Sequence, residues 1–97
     1  MSGYIIAMVS VEDMDQYKKY MALTPAIIEK YGGRFFTRGG QTELLEGTMP
    51  SNRMVLLEFP TYQHALDFYK SEEYQAAAAL RKDAASATFI ALEGLDN

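Results

Sequence analysis

Arg53-Met54-Val55-Leu56-Leu57-Glu58-Phe59-Pro60 is the run on which the fold turns. Its branched and aromatic side chains suit a pleated strand, and Pro60, which has no N–H to donate, stops it. Side chains alternate across a strand, so Val55, Leu57 and Phe59 point one way and Met54, Leu56 and Glu58 the other. Both faces are therefore largely apolar. The run Tyr4 to Val11 repeats the pattern, with Tyr4, Ile6 and Met8 opposing Ile5, Ala7 and Val9. Strands of this kind are expected to be covered on both sides.

The segments between these strands carry helical signals. Asp13 is placed as an N-cap, with Gln16 three residues on as a capping box wants. Tyr17, Tyr20, Met21, Thr24, Ile27, Ile28 and Tyr31 fall on one helical stripe. Pro25 lies inside that run, removing a backbone donor and predicting a kink. Gly32 or Gly33 can close the helix in the left-handed conformation. A second strand is expected from Arg34, interrupted by Gly39-Gly40 and resumed as Thr42-Glu43-Leu44-Leu45-Glu46. Residues 47–52 then read as a turn. After Pro60, Thr61 caps a helix that turns Ala65, Leu66, Phe68 and Tyr69 inward. Ser71 caps another, with Glu72 and Glu73 near the positive end of its dipole, running through Ala76 to Ala79 to about Lys82. Ala87 to Glu93 forms the last strand.

The order is β-α-β-β-α-β, an α+β ferredoxin-like arrangement in one domain spanning 1–97. Its helices can cover only one face of an antiparallel sheet. The other apolar face is expected to meet a second copy of the chain, sheet to sheet, in a homodimer.

Bulk composition narrows the classes of partner. The 97 residues carry a net charge of −4, with 48% hydrophobic and 23% charged residues. An acidic domain of ordinary globular composition opposes non-specific binding to nucleic acid. There is no cysteine and one histidine, so thiolate metal sites and disulfides are excluded, no metal site is expected, and a reducing cytoplasm suits the chain. The apolar start is interrupted by Glu12 and Asp13, too early for an export-signal core or a membrane span.

Short blocks along the chain carry a resemblance. Tyr31-Gly32-Gly33-Arg34-Phe35, Arg38-Gly39-Gly40, Glu46-Gly47, Glu58-Phe59-Pro60, and Tyr69, Ser71 and Tyr74 with Arg81 beyond, resemble domain-of-unknown-function family 1330. The resemblance covers almost the whole chain. It implies the dimeric α/β-barrel superfamily, in which two ferredoxin-like protomers face their sheets and each keeps a pocket between sheet and helices or loops. Relatives in that superfamily include cofactor-free oxygenases, decyclising and isomerising enzymes, haem-binding proteins and ligand-sensing domains. It therefore implies fold and dimer more strongly than function.

Several residues are candidates for chemistry. Arg38 carries a permanent charge on a planar fork suited to carboxylates, and Gly39 and Gly40 let the chain bulge and expose backbone N–H groups. The competing structural reading makes Gly39-Gly40 a plain bulge and pairs Arg38 with a carboxylate such as Glu58. Glu58 is the odd member of an apolar strand: a base with a raised pKa if buried, or a strand-end carboxylate that reaches water. His64 titrates near neutral pH, yet it falls in the first turn of an amphipathic helix and lacks an orienting neighbour. Tyr69, Ser71 and Tyr74 straddle a helix junction, as ligand-orienting hydroxyls or as core edge and N-cap. Arg34, Arg53 and Arg81 read as surface or ion-pair residues, with Arg81 favoured as a ligand contact by its matched segment. The sequence thus offers Glu58, His64 and Tyr69 as candidate catalytic groups. Arg38, Gly39, Gly40, Ser71, Tyr74 and Arg81 are candidate contacts for a small organic acid or carbonyl compound. No bound cofactor is called for. Cofactor-free oxygenation or isomerisation and non-catalytic, stress-associated binding both fit.

Overall fold

The computed structural model describes residues 2–95. In chain order these form β1 (Gly3–Val11), α1 (Met14–Lys30), β2 (Arg34–Arg38), β3 (Arg53–Phe59), α2 (Tyr62–Lys70), α3 (Glu72–Ala79) and β4 (Ala85–Glu93). The strands make one four-stranded antiparallel sheet in the order β2-β3-β1-β4. This is the ferredoxin-like α+β fold, its second helical crossing divided in two at Ser71. The sheet does not close on itself: β2 and β4 are free edges.

Capping sets the helix boundaries. Asp13 Oδ1 accepts from the Gln16 backbone N–H at 3.1 Å. The Gln16 side chain does not reach back to complete a capping box; its Nε2 donates to Leu80 O at 2.9 Å, tying α1 to the end of α3. At the other end Gly32, with φ 79°, donates to Glu29 O, and Gly33 donates to Ile28 O. Those are the paired bonds that close a helix through a left-handed glycine. Thr61 and Ser71 cap α2 and α3, their hydroxyls accepting from the His64 and Tyr74 backbone N–H groups. α3 stops at Ala79, short of the expected Lys82, and the chain turns through 80–84 into β4.

The helices lie on one sheet face. There Ile5, Ala7 and Val9 of β1, with Leu57 and Phe59 of β3, are buried against Ala65, Phe68, Tyr74 and Ala77. On the opposite face Tyr4, Ile6, Met8, Met54 and Leu56 are only half-buried, while Ile90 and Leu92 are 46% and 53% exposed. One face of each central strand is thus covered and the other left open.

The second strand differs from the sequence expectation in two ways. Its bulge lies between Phe35 and Thr37, not at Gly39-Gly40. It also does not resume at Thr42 to Glu46: residues 40–52 form no strand, and 40–50 are all exposed. The cause is the length of its partner. β3 begins at Arg53, and pairing of Arg38 with Val55 and a bond from Gly39 N to Met54 O bring β2 to that strand's start. Nothing remains for residues 42–46 to pair with.

Candidate functional site

The bulge decides which way Arg38 points. Phe36 and Thr37 together oppose Leu56, so one extra residue is absorbed before Arg38 meets Val55. Regular alternation from Arg34 would put Arg38 on the open face. The bulge instead returns it to the helix side, where its guanidinium lies 4.6 Å from the centroid of the Phe35 ring. Arg34 and Phe36 stay on the open face, stacked at 4.8 Å.

A carbonyl on α1 receives Arg38. Pro25 has no N–H, so Met21 O, one helical turn earlier, lacks its usual partner. Arg38 Nη2 donates to that oxygen at 2.7 Å, and Thr24 Oγ1 donates to it at 3.3 Å. The helix continues through Pro25, and the vacated carbonyl becomes an anchor for a side chain from the neighbouring strand.

Arg53 comes in beside it. Paired with Val9 at the start of β3, it faces the helices, its guanidinium 5.9 Å from the Tyr17 ring centroid. Gly39 makes the room. Its φ is 71°, and a Cβ there would lie 2.3 Å from Arg53 Nη1. Gly39 is therefore required twice, for its backbone conformation and for the guanidinium against it. Gly40 faces open space.

These two arginines stand at a cavity of about 30 Å³ between α1 and the sheet. Tyr17, Tyr20 and Thr24 from α1 and Tyr74 from α3 line it, over a floor that includes Ala7, Val55 and Leu57. At its inner end Tyr20 Oη and Tyr74 Oη are 2.8 Å apart, and Arg81 Nη2 donates to Tyr74 Oη at 3.1 Å. The Arg81 guanidinium lies 5.2 Å from the Tyr20 ring centroid and 4.9 Å from that of Phe89. Burial, reinforced by the neighbouring phenol, pushes the Tyr20 pKa far above that of a free tyrosine. Burial likewise raises Tyr74, against the opposing pull of its bonds to Tyr20 and Arg81. Both hydroxyls are protonated donors at neutral pH.

The electrostatics of this cluster are one-sided. Among the described residues the ion pairs are Lys30 with Glu73 and Arg34 with Glu58, both away from the cavity. Arg38, Arg53 and Arg81 thus have no carboxylate partner among them. Nε of Arg53 and Nε of Arg81 are buried and bonded to nothing. An unsatisfied buried guanidinium nitrogen is costly, and an anion or carbonyl oxygen is what would satisfy it. No Asp, Glu or His lines the cavity.

The other sequence candidates lie elsewhere. Glu58 is on the open face, not paired with Arg38: Arg34 Nε donates to it at 2.9 Å and Tyr4 Oη at 3.2 Å. Burial opposes its ionisation, but the bonds from Arg34 and Tyr4 outweigh it and hold its pKa below the ordinary value. His64 is exposed in the first turn of α2, its Nδ1 2.7 Å from Thr61 Oγ1. Tyr69 is 38% exposed rather than turned into the core and lines a separate hollow of about 160 Å³ against Ala65, Phe89 and Ile90. Ser71 is occupied as a cap, accepting from Tyr74 N and donating to Phe68 O at 2.7 Å. Of the sequence candidates, Arg38 and Tyr74 line the cavity; Arg81 stands behind it, bonded to Tyr74, and Gly39 packs on Arg53 with its N–H taken by Met54 O rather than exposed. Arg53, read from the sequence as a surface or ion-pair residue, instead joins them with a buried Nε and no ion pair among the described residues, and Tyr17 and Tyr20 join them from the α1 stripe. Their signal was present in part: the two tyrosines fall on the inward stripe of α1, and Arg53 sits on the same strand face as Val55 and Leu57.

Other proteins share this architecture. The RPA0582 protein of unknown function from Rhodopseudomonas palustris matches with a TM-score of 0.75 at 17% identity, over 99% of this chain and 84% of that one. A dimeric ferredoxin-like protein of unknown function from Jannaschia sp. CCS1 matches at 0.74 and 15% identity, over 97% and 100%. SnoaB, a cofactor-independent oxygenase from Streptomyces nogalater, matches at 0.65 and 8% identity, over 99% and 95%. At these identities the likeness is one of fold. No curated protein matches the sequence. The family model described as Domain of unknown function (DUF1330) matches residues 2–95, and the chain belongs to that family.

Proposed function

We propose that the protein is a homodimeric binder of a small organic acid, held in the cavity between α1 and the sheet. Arg38 and Arg53 take the ligand's charge at the mouth, and Tyr20, Tyr74 and Arg81 form a donor-rich inner end. One observation carries this reading: Arg38 and Arg53 line a tyrosine-rich cavity without a carboxylate partner among the described residues, Arg53 with a buried, unbonded N–H, and a third guanidinium, Arg81, backs its Tyr74. A charged ligand oxygen supplies the missing partner, and guanidinium forks suit it geometrically.

The same geometry weighs against protein-driven acid–base catalysis there. The cavity lining offers no carboxylate or imidazole, and its phenols hold their protons. Glu58 and His64 lie too far round the molecule to serve a ligand in it. A second reading, cofactor-free oxygenation, is favoured by the fold shared with a cofactor-independent oxygenase. It requires a substrate that ionises itself and supplies its own electrons, with the arginines stabilising the anion.

Calorimetric titration of small carboxylates against their amides and against amines of the same size tests the binding reading. Carboxylates are expected to saturate and the others not, and Arg38→Ala is expected to weaken carboxylate binding roughly tenfold, the scale of one charge-assisted hydrogen bond. Equal behaviour of acids and amides refutes it. Oxygen uptake with any bound, ionisable ligand is the outcome that moves the function to the second reading.

A further inference from the structure

The contacts at the inner end of the cavity have a direction. A guanidinium only donates, so Tyr74 Oη accepts from Arg81 Nη2 at 3.1 Å. A phenol polarised by that cation is the better donor of the pair. Either hydroxyl can donate across the 2.8 Å between them, and this polarisation assigns Tyr74 as the hydrogen-bond donor and Tyr20 Oη as the acceptor. Tyr20 is left holding an O–H that meets no acceptor among the described residues, at the end of a chain of donors that starts on Arg81, and Tyr20 lines the cavity. Of the other hydroxyls lining it, Thr24 already donates to Met21 O and Tyr74 to Tyr20, while Tyr17 has no such chain of donors behind it.

The cavity thus presents donors at two places. Arg38 and Arg53 offer N–H groups at the mouth, and Tyr20 offers an O–H further in. A simple carboxylate satisfies the first and leaves the second unmet. The cavity, about 30 Å³, favours a compact group beyond the charge. A ketone oxygen next to a carboxylate fits both limits: it accepts hydrogen bonds, brings no hydrogen needing an acceptor, and adds little volume. We propose that the ligand is a short-chain 2-oxo acid, its carboxylate on Arg38 and Arg53 and its 2-oxo oxygen on the Tyr20 hydroxyl. This inference rests on the anion-binding reading above and adds a specificity residue to it.

Calorimetric titration of the full-length protein with pyruvate, lactate and propionate, repeated with Tyr20→Phe, tests it. Wild type is expected to bind pyruvate roughly fivefold to tenfold more tightly than propionate, the scale of one ligand hydrogen bond, with lactate between. In Tyr20→Phe pyruvate and propionate are expected to converge. Tyr74→Phe removes the donor that orients Tyr20 and is expected to shrink the same preference, so a poorly folded first variant still leaves a test. Propionate and pyruvate binding equally to wild type, or a pyruvate preference that survives in a folded Tyr20→Phe, overturns this inference and leaves the anion site standing. Failure of every acid to saturate overturns the anion site itself, and this inference with it.

Discussion

Arg53 holds a position that stability alone does not favour. Its Nε is buried without a partner, and the Gly39 backbone is shaped around its guanidinium. Desolvating a cation without pairing it costs several kcal/mol, and apolar residues of similar volume often do as well or better at such sites. On the binding reading proposed above, a ligand explains an arginine kept there. Arg53→Met is therefore expected to leave ligand-free stability equal or raise it by about 1 kcal/mol, while abolishing carboxylate binding. Urea denaturation and calorimetry on the same preparation check both halves. A variant that is destabilised by several kcal/mol would make Arg53 a structural residue and remove it from the site. Pro25 offers a parallel case, because its missing N–H frees the Met21 carbonyl that Arg38 occupies. At Pro25 a residue costly to its own element makes sense through a side chain from another.

At the scale of the element, β2 is built around one absorbed residue. Phe35 pairs with Leu57, Phe36 and Thr37 share Leu56, and Arg38 pairs with Val55. Removing Phe36 should leave Phe35, Thr37 and Arg38 on their present partners in a regular ladder. The variant lacking Phe36 is thus expected to fold and to bind carboxylates within about threefold of wild type, despite losing a residue from mid-strand. A tenfold loss with the fold intact would show that the bulge does more than set the facing of Arg38. The bulge was not legible in the sequence for a plain reason. Glycines announce backbone freedom, and they stand at 39 and 40. The extra residue is an aromatic that either a bulged or a regular strand accepts, so only the register in space decides. The same limit hid the partner of Glu58. Its oddness in an apolar strand was readable, but the choice between Arg34 and Arg38 depended on the pairing of β2 with β3, which sets Arg34 opposite Glu58 and Arg38 opposite Val55. Caps and helix ends were readable because they are local: Asp13, Thr61, Ser71 and Gly32 each act within a turn of their own position.

At the scale of the whole molecule, the period-two pattern of the central strands made the fold legible, and the same pattern leaves a surface to be accounted for. Both faces of β1 and β3 are apolar, and helices cover one of them. The other presents Tyr4, Ile6, Met8, Met54 and Leu56, flanked by Phe36, Ile90 and Leu92 at 45%, 46% and 53% exposure. The accessible surface of 6262 Å² exceeds the roughly 5,600 Å² of a compact monomer of this mass. The open face and the exposed residues 40–50 share that excess. An interface burying about 800 Å² on each partner would cover such a face. Fold relatives include dimeric ferredoxin-like proteins, so a second copy is the occupant that the architecture favours. The helix-side core and the cavity lie on the opposite side of the sheet, which makes the two properties separable. Leu56→Arg, at the centre of the open face, is expected to turn a dimer at micromolar concentration into monomer by sedimentation, with its helical circular dichroism unchanged. Burying an unpaired guanidinium against a second apolar sheet is the cause, and the single protomer avoids that cost by leaving the charge in water. Wild type sedimenting as monomer at tens of micromolar would show that this face stays open, and a Leu56→Arg dimer would place the contact elsewhere.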